Sequence, residues 1–120
     1  MHALIIEDEP LIAATIEAEL KDLGYTSFDV AATQSDAIAA AERQQPDFVT
    51  VDDTLTDGRG TEAVMKICTR QATPVVIITG RPFEVALPDV VTLGKPFSSG
   101  AFRAAWERAR QRPIFFAPAE

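Results

Sequence analysis

Short apolar runs with strand character alternate with segments of helical period from one end of this chain to the other, and that alternation constrains the fold more than any other feature. It predicts an α/β architecture in which successive strands lie parallel and crossover helices cover the faces of one sheet. The first run, Ala3-Leu4-Ile5-Ile6, is apolar without a break, as a strand buried on both faces requires. Pro10 then opens a helix on which Ile12, Ile16, Leu20 and Leu23 recur at helical spacing until Gly24 supplies a stop. Residues 25–31 read as a second strand, Thr33 or Ser35 as the cap of an Ala-rich helix, and Pro46 as its end. Phe48-Val49-Thr50-Val51 is the third strand, followed by a turn-rich stretch over residues 54–60 and a helix over about 61–71. Pro74-Val75-Val76-Ile77-Ile78-Thr79, the most β-branched segment, belongs inside the sheet, and Val90-Val91-Thr92-Leu93 is the fifth strand. Ser98 or Ser99 caps a last helix that carries Phe102, Trp106 and Ala109 at core spacing to about Arg110.

The fourth crossover is short. Fifteen residues, 80–94, separate Thr79 from Lys95, and with Pro82 and Pro88 among them only one helical turn near residues 83–87 fits. The fourth helix is therefore expected to be shortened or lost. A chain of 120 residues with 47% hydrophobic content closes one apolar core and not two. We expect one domain over residues 1–111 and a short apolar tail over 112–120, in which Ile114, Phe115 and Phe116 need a surface to pack on.

Composition removes several classes of function. No run of about 18 apolar residues occurs, and the N-terminus enters a strand-like segment at once, so neither a membrane span nor a signal peptide is expected and the protein reads as cytoplasmic. Eleven basic against 18 acidic residues give a net charge of −7, which disfavours nucleic acid and anionic lipid as partners. The single thiol, Cys68, cannot form an internal disulfide and lies beside Val64 and Ile67 in an amphipathic stretch, where inert packing is its expected role.

In a parallel sheet with crossover helices, side chains at the carboxyl ends of the strands converge on one crevice. Glu7 and Asp8 end the first strand, Asp52 and Asp53 the third and Thr79 the fourth, while Lys95 follows the fifth. Strand alternation points Asp53 away from the site that Asp52 faces. Three carboxylates on one edge repel unless a cation compensates them, and with oxygen ligands alone the ion is Mg²⁺ or Mn²⁺. His2 and Cys68 are not placed to make a zinc site.

Four strings in this order, Leu4-Ile5-Ile6-Glu7-Asp8-Glu9-Pro10, Val51-Asp52-Asp53-Thr54-Leu55-Thr56-Asp57-Gly58-Arg59-Gly60, Val76-Ile77-Ile78-Thr79-Gly80 and Leu93-Gly94-Lys95-Pro96-Phe97, resemble the response-regulator receiver family over roughly residues 3–110. The resemblance implies a single doubly wound, flavodoxin-like sheet of five parallel strands in the order 2-1-3-4-5. It implies that Asp52 is the phosphoacceptor for a phosphohistidine or a small donor such as acetyl phosphate. Asp8 and Asp52 would hold Mg²⁺ together with the backbone carbonyl of Thr54, and Glu7 would act through a water. Mg²⁺ and the Lys95 ammonium would stabilise charge on the transferring group, and Thr79 would bond a phosphoryl oxygen afterwards and report the event. The family often holds the Lys95–Pro96 bond cis.

The resemblance further implies a single-domain response regulator of a two-component phosphorelay, a monomer or weak homodimer partnered by a histidine kinase or histidine phosphotransfer protein. It would be no enzyme beyond its own phosphorylation and slow dephosphorylation. The residue three before Lys95, an aromatic in most of the family, is Thr92 here, and a subclass with a degenerate fourth helix and a Phe-Ala-Thr-Gly signature is matched only at Thr79-Gly80. The competing readings are a non-phosphorylated pseudo-receiver, against which intact Glu7, Asp8, Asp52, Thr79 and Lys95 speak, a receiver cut from a longer regulator, and a metal-dependent phosphatase of similar topology.

Overall fold

The computed structural model describes residues 1–85, 87 and 89–117. Ala86 and Pro88 of the fourth crossover and residues 118–120 of the tail, on which parts of the sequence expectations fall, lie outside the described residues.

Strands β1 (His2–Ile6), β2 (Ser27–Ala31), β3 (Phe48–Val51), β6 (Val75–Thr79) and β7 (Val91–Gly94) form one parallel sheet in the order β2-β1-β3-β6-β7. This is the expected order 2-1-3-4-5 once the small antiparallel pair β4 (Thr54–Leu55) and β5 (Gly58–Arg59) is set aside. Helices α1 (Pro10–Asp22) and α4 (Ser99–Arg110) lie on one face, α2 (Gln34–Arg43) and α3 (Gly60–Ile67) on the other. The unbroken apolar strands follow from this sandwich. Leu4 and Ile6 face α2 and α3 with Val49, Val51, Val75 and Ile77, whereas Ala3 and Ile5 face α1 and α4 with Phe48, Val76 and Ile78.

The helix caps sort the sequence alternatives. Thr33, not Ser35, caps α2 by accepting the Asp36 backbone N–H at 3.1 Å, and Ser98, not Ser99, caps α4 by accepting the Ala101 N–H at 3.0 Å. Helix α3 stops at Ile67, short of the expected residue 71. The Thr69 hydroxyl donates to the Lys66 carbonyl at 2.8 Å, a local bond that competes with continuation of the helix. The second strand begins at Ser27 because Tyr25 turns into the core, where its hydroxyl accepts the Trp106 indole N–H at 3.0 Å. Phe102 and Trp106 are core residues, as expected. His2 is buried at the amino end of the sheet, its ring nitrogens 2.7 Å from Ser27 Oγ and 3.0 Å from Asp29 Oδ2, at the opposite end from Glu7 and Asp52.

The fourth crossover contains a single 3-10 turn, Pro82–Glu84, in place of a helix. The α2/α3 face of the core is therefore left thin beside β6, and the tail covers part of it. Ile114 and Thr73 exchange backbone hydrogen bonds at 2.8 and 2.9 Å, and the Phe116 N–H donates to the Cys68 carbonyl at 3.1 Å. Ile114, Phe116, Val85 and Leu87 pack against a cluster that includes Cys68, Val75 and Val90, while Phe115 stays 54% exposed. Burial pushes the Cys68 thiol up to about 11, in keeping with inert packing. Among the described residues no helix is long and apolar enough to cross a membrane.

If the tail is part of the core, Phe116→Ala lowers the unfolding free energy by about 1–3 kcal/mol, less than for a fully buried phenylalanine. It also speeds alkylation of Cys68 in the folded protein. Urea denaturation and a thiol-reagent time course measure the two effects, and a variant unchanged in both would show that the tail only rests on the surface.

Candidate functional site

The site begins with backbone pairing. The parallel register places Ile6 opposite both Ala31 and Val51, and the ladder runs one residue past the strands. The Glu7 N–H donates to Ala31 O and the Asp52 N–H to Ile6 O, each at 2.9 Å. Glu7 and Asp52 thus leave adjacent strand ends side by side, and both are buried, at 2% and 7% exposure. Asp8, one residue on, is exposed. One carboxylate oxygen from each of Glu7, Asp8 and Asp52 lies within 4.8 Å of the others.

Strands β6 and β7 deliver the remaining groups. Thr79 pairs with Gly94, and the Lys95 N–H donates to the Thr79 carbonyl at 2.8 Å, which fixes where the lysine leaves the sheet. Its Nζ lies 2.9 Å from Glu7 Oε1 and 3.4 Å from Asp52 Oδ2. The Lys95–Pro96 bond is cis, as the family resemblance implied. The buried Thr79 hydroxyl accepts the Arg81 N–H at 3.1 Å, so the residue expected to sense a phosphoryl group is tied to the start of the fourth crossover.

The acceptor loop is the part that sequence reasoning resolved least. Asp52 Oδ1 accepts the Thr54 backbone N–H at 3.3 Å, and Asp53 turns from the carboxylate cluster to an ion pair with Arg59. The stretch read as turn residues is a hairpin, β4 and β5, with Gly58 at φ +153°. Its two-residue loop is Thr56-Asp57, with Gly58 already paired to Leu55, so the Asp57-Gly58 dipeptide marked a turn without placing the strands. The Arg59–Asp53 pair had no comparable signal. Gly60 is fixed by contact: a Cβ there would stand 2.0 Å from the Asp52 carbonyl oxygen and 2.4 Å from Val51 Cγ2.

Charge in the cluster is unbalanced. Burial raises the Glu7 carboxyl from its ordinary 4.5 to about 7, with the Asp52 charge adding to the rise and the neighbouring Lys95 ammonium opposing it. For Lys95, burial works downward, but Glu7 and the Asp52 charge outweigh it and hold the ammonium above its ordinary value. One lysine therefore faces more negative charge than it can neutralise. Glu7 Oε1, although close to Lys95 Nζ, has no aligned hydrogen bond. Buried and exposed carboxylate oxygens in one cluster, one of them without a donor, are a donor set suited to a hard divalent cation.

The family model for the response regulator receiver domain matches residues 3–98. The chain belongs to this family. Its sequence is 41% identical over 81 residues to the phyllosphere-induced regulator PhyR of Methylorubrum extorquens, a match that covers 66% of this chain and 30% of that protein. Its fold superposes on the solution structure of the PhyR receiver domain of Erythrobacter litoralis with a TM-score of 0.84 at 30% identity, covering 99% of this chain and 95% of the other. It also superposes on the receiver domain of the sensor histidine kinase PA1611 of Pseudomonas aeruginosa, which has a magnesium ion coordinated in its active-site cleft (TM-score 0.78, 26% identity, 92% and 97% covered). The chain spans about a third to a half of the length of the curated relatives it matches.

A receiver with this cluster should bind cations in a pH-dependent way. An acid whose pKa is raised by folding favours the folded state at low pH. That contribution is complete below about 4.5 and is lost as pH rises to about 7. The cation-free protein is therefore expected to melt at progressively lower temperature from pH 5 to pH 8, with excess Mg²⁺ shrinking the decline and Glu7→Gln flattening it. Calorimetric melts in chelator and in Mg²⁺ measure this, and equal slopes for wild type and Glu7→Gln would contradict it. Gly60→Ala provides a steric test. With backbone in the way, the strand end must shift, and we expect about 1–3 kcal/mol of destabilisation in urea.

Proposed function

We propose that this receiver takes a phosphoryl group on Asp52 from a phosphohistidine of a histidine kinase or histidine phosphotransfer protein in a two-component relay, with Mg²⁺ as cofactor. The observation that carries the reading is the convergence of Glu7, Asp8 and Asp52, with oxygens within 4.8 Å, on a lysine whose Nζ lies 3.4 Å from the acceptor carboxylate. An Asp52 oxygen forms a bond to phosphorus as the phosphorus–nitrogen bond of the donor breaks, and the imidazole leaves with the bonding pair. The product is an acyl phosphate.

Each residue of the site has a part in this reading. Asp8, Asp52 and the Thr54 backbone carbonyl would hold the ion, with Glu7 beside it in the carboxylate cluster. When bound, Mg²⁺ supplies positive charge against the three carboxylates and the phosphoryl oxygens. Lys95, rigidly placed by its backbone bond to Thr79, stabilises charge that develops on the group in transfer. Thr79 turns its hydroxyl to donate to a phosphoryl oxygen, which disturbs its bond from the Arg81 N–H near the start of the short crossover and changes the surface offered to a partner. Water then cleaves the acyl phosphate slowly, so the domain catalyses its own modification and its removal, and no other reaction. The chemistry is the same in a single-domain regulator and in the receiver part of a longer one. A histidine kinase or phosphotransfer protein as phosphoryl donor fits a cytoplasmic location.

Intact-mass spectrometry after incubation with acetyl phosphate tests the reading. We expect a gain of about 80 Da, one phosphoryl group, that requires Mg²⁺ and disappears in Asp52→Asn. Lys95→Ala should slow the gain by about a hundredfold or more. An adduct that persists in Asp52→Asn would place the chemistry elsewhere, and a wild type with neither adduct nor Mg²⁺ binding would make the chain a pseudo-receiver.

A further inference from the structure

The hairpin that follows the acceptor is a weak element by itself. β4 and β5 are two residues each and pair only with one another, and of their four residues only Leu55 is buried in the core, so the ribbon has one apolar anchor where an isolated two-stranded ribbon is marginal in water. Yet it carries Thr54, two residues beyond Asp52. Its base is tied down by the Gly60 N–H, which donates to the Asp53 carbonyl at 2.9 Å, and by the Arg59–Asp53 ion pair. Its tip is tied down from a different element.

Asp57, at the tip, reaches the first turn of α2. Its carboxylate accepts the Gln34 backbone N–H at 2.6 Å, the Ser35 backbone N–H at 3.2 Å and the Ser35 hydroxyl at 3.0 Å. Thr33 caps α2 through the Asp36 N–H and leaves these two amides without an intrahelical partner, so a carboxylate from the hairpin completes the cap. The attachment is reciprocal, because Gln34 Nε2 donates to the Arg59 carbonyl at 3.0 Å. The approach is close: a Cβ on Gly58 would stand 3.3 Å from Gln34 Nε2. The Gln34 amide, with those of Ser35, holds the Asp57 carboxyl below its ordinary value although it is exposed, so it stays charged at neutral pH.

We infer that Asp57 is a positioning residue for the acceptor site: by locking the hairpin tip to α2 it fixes the Thr54 backbone and thereby sets the affinity of the site for its divalent cation. The inference rests on the reading of Asp52 as a cation-assisted phosphoacceptor. It assigns a functional role to a side chain that faces away from the carboxylate cluster, and it makes α2 a part of the site's support. Residues that hold a ligating group from behind commonly change metal affinity by 10–100-fold when removed.

The test is an Mn²⁺ titration followed by electron paramagnetic resonance on wild type, Asp57→Ala, Asp57→Asn and Gln34→Ala, with amide hydrogen exchange over residues 53–60 on the same proteins. Asp57→Ala should weaken Mn²⁺ binding by about tenfold and speed exchange in the hairpin. Asp57→Asn loses the same charge but keeps an oxygen acceptor for the Gln34 and Ser35 amides, and should recover to within about threefold of wild type in both readouts. Gln34→Ala, which cuts the reciprocal tie from α2, should weaken binding by about threefold. At saturating Mg²⁺ the phosphorylation rate of Asp57→Ala should return to that of wild type, because the defect lies in affinity. Equal weakening in Asp57→Ala and Asp57→Asn would assign the effect to long-range charge and overturn the positioning role, as would an Asp57→Ala that binds Mn²⁺ within twofold of wild type. A wild type that binds no Mn²⁺ would instead sink the acceptor reading on which the inference stands.

Discussion

Parallel pairing between β1 and β3 decides where the charge of this protein lies. From Ala3 opposite Phe48 to Ile6 opposite Val51 the two strands run in register, and the Asp52 N–H continues the ladder to Ile6 O. A slip of one residue would send Asp52 to the other side of the sheet and turn each strand's inner set of side chains to the wrong layer. Because both faces are covered by helices, such a slip would disturb two cores at once, and the packing of Leu4, Ile6, Val49 and Val51 on one side and Ala3, Ile5 and Phe48 on the other resists it. The carboxylate cluster, which is electrostatically unfavourable in itself, is held by a register set for apolar reasons.

The same separation of duties runs through the rest of the fold. Rigid groups sit on sheet ends: Glu7 and Asp52 on the β1/β3 pair, Thr79 and Lys95 on the β6/β7 pair through the 2.8 Å bond from the Lys95 N–H to Thr79 O. Groups that must yield sit on short, lightly packed segments. The fourth crossover, reduced to one 3-10 turn, is tied at its second residue, Arg81, whose amide Thr79 holds. Val85 and Leu87 from that crossover share a cluster with Ile114 and Phe116 of the tail, so a change at the crossover is felt at the other end of the chain. Segments with few buried contacts open at low free energy, and here they lie next to the Thr79 hydroxyl.

Much of this was legible in the sequence because its signals were local and strong. Continuous apolar strands, Pro10 at a helix start and the shortage of residues between Thr79 and Lys95 each have one physical reading, the caps were narrowed to Thr33 or Ser35 and Ser98 or Ser99, and the sheet order came with the family resemblance. The carboxylates, Thr79 and Lys95 were legible because a parallel sheet brings its strand ends together. What escaped were polar contacts that follow no periodic pattern. Nothing periodic announces that Asp57 will cap a helix 22 residues earlier through Ser35, that Asp53 will pair with Arg59, or that Phe116 will donate its amide to Cys68. The early end of α3 escaped for a related reason, since a threonine hydroxyl bonding back three residues leaves no mark on a hydrophobic pattern.

Those illegible contacts carry the loop side of the site, and this gives the acceptor two kinds of support. Asp52 itself stands on a strand end buried to 7% exposure, where the sheet fixes the backbone. Thr54 stands on a two-residue strand outside that sheet, fixed by the burial of its neighbour Leu55 in the core and by polar ties at Asp52, Asp53, Asp57, Arg59 and Gly60. The cost of misplacing a ligating group by an ångström is large, so the looser of two supports sets the quality of the site. By that argument the polar ties of the hairpin, with Leu55 beneath them, would limit the proposed site's affinity for a cation more than the strand end that carries Asp52. Sequence change at positions 34, 35, 57 and 59 can then tune the site without touching any group that meets the phosphoryl donor.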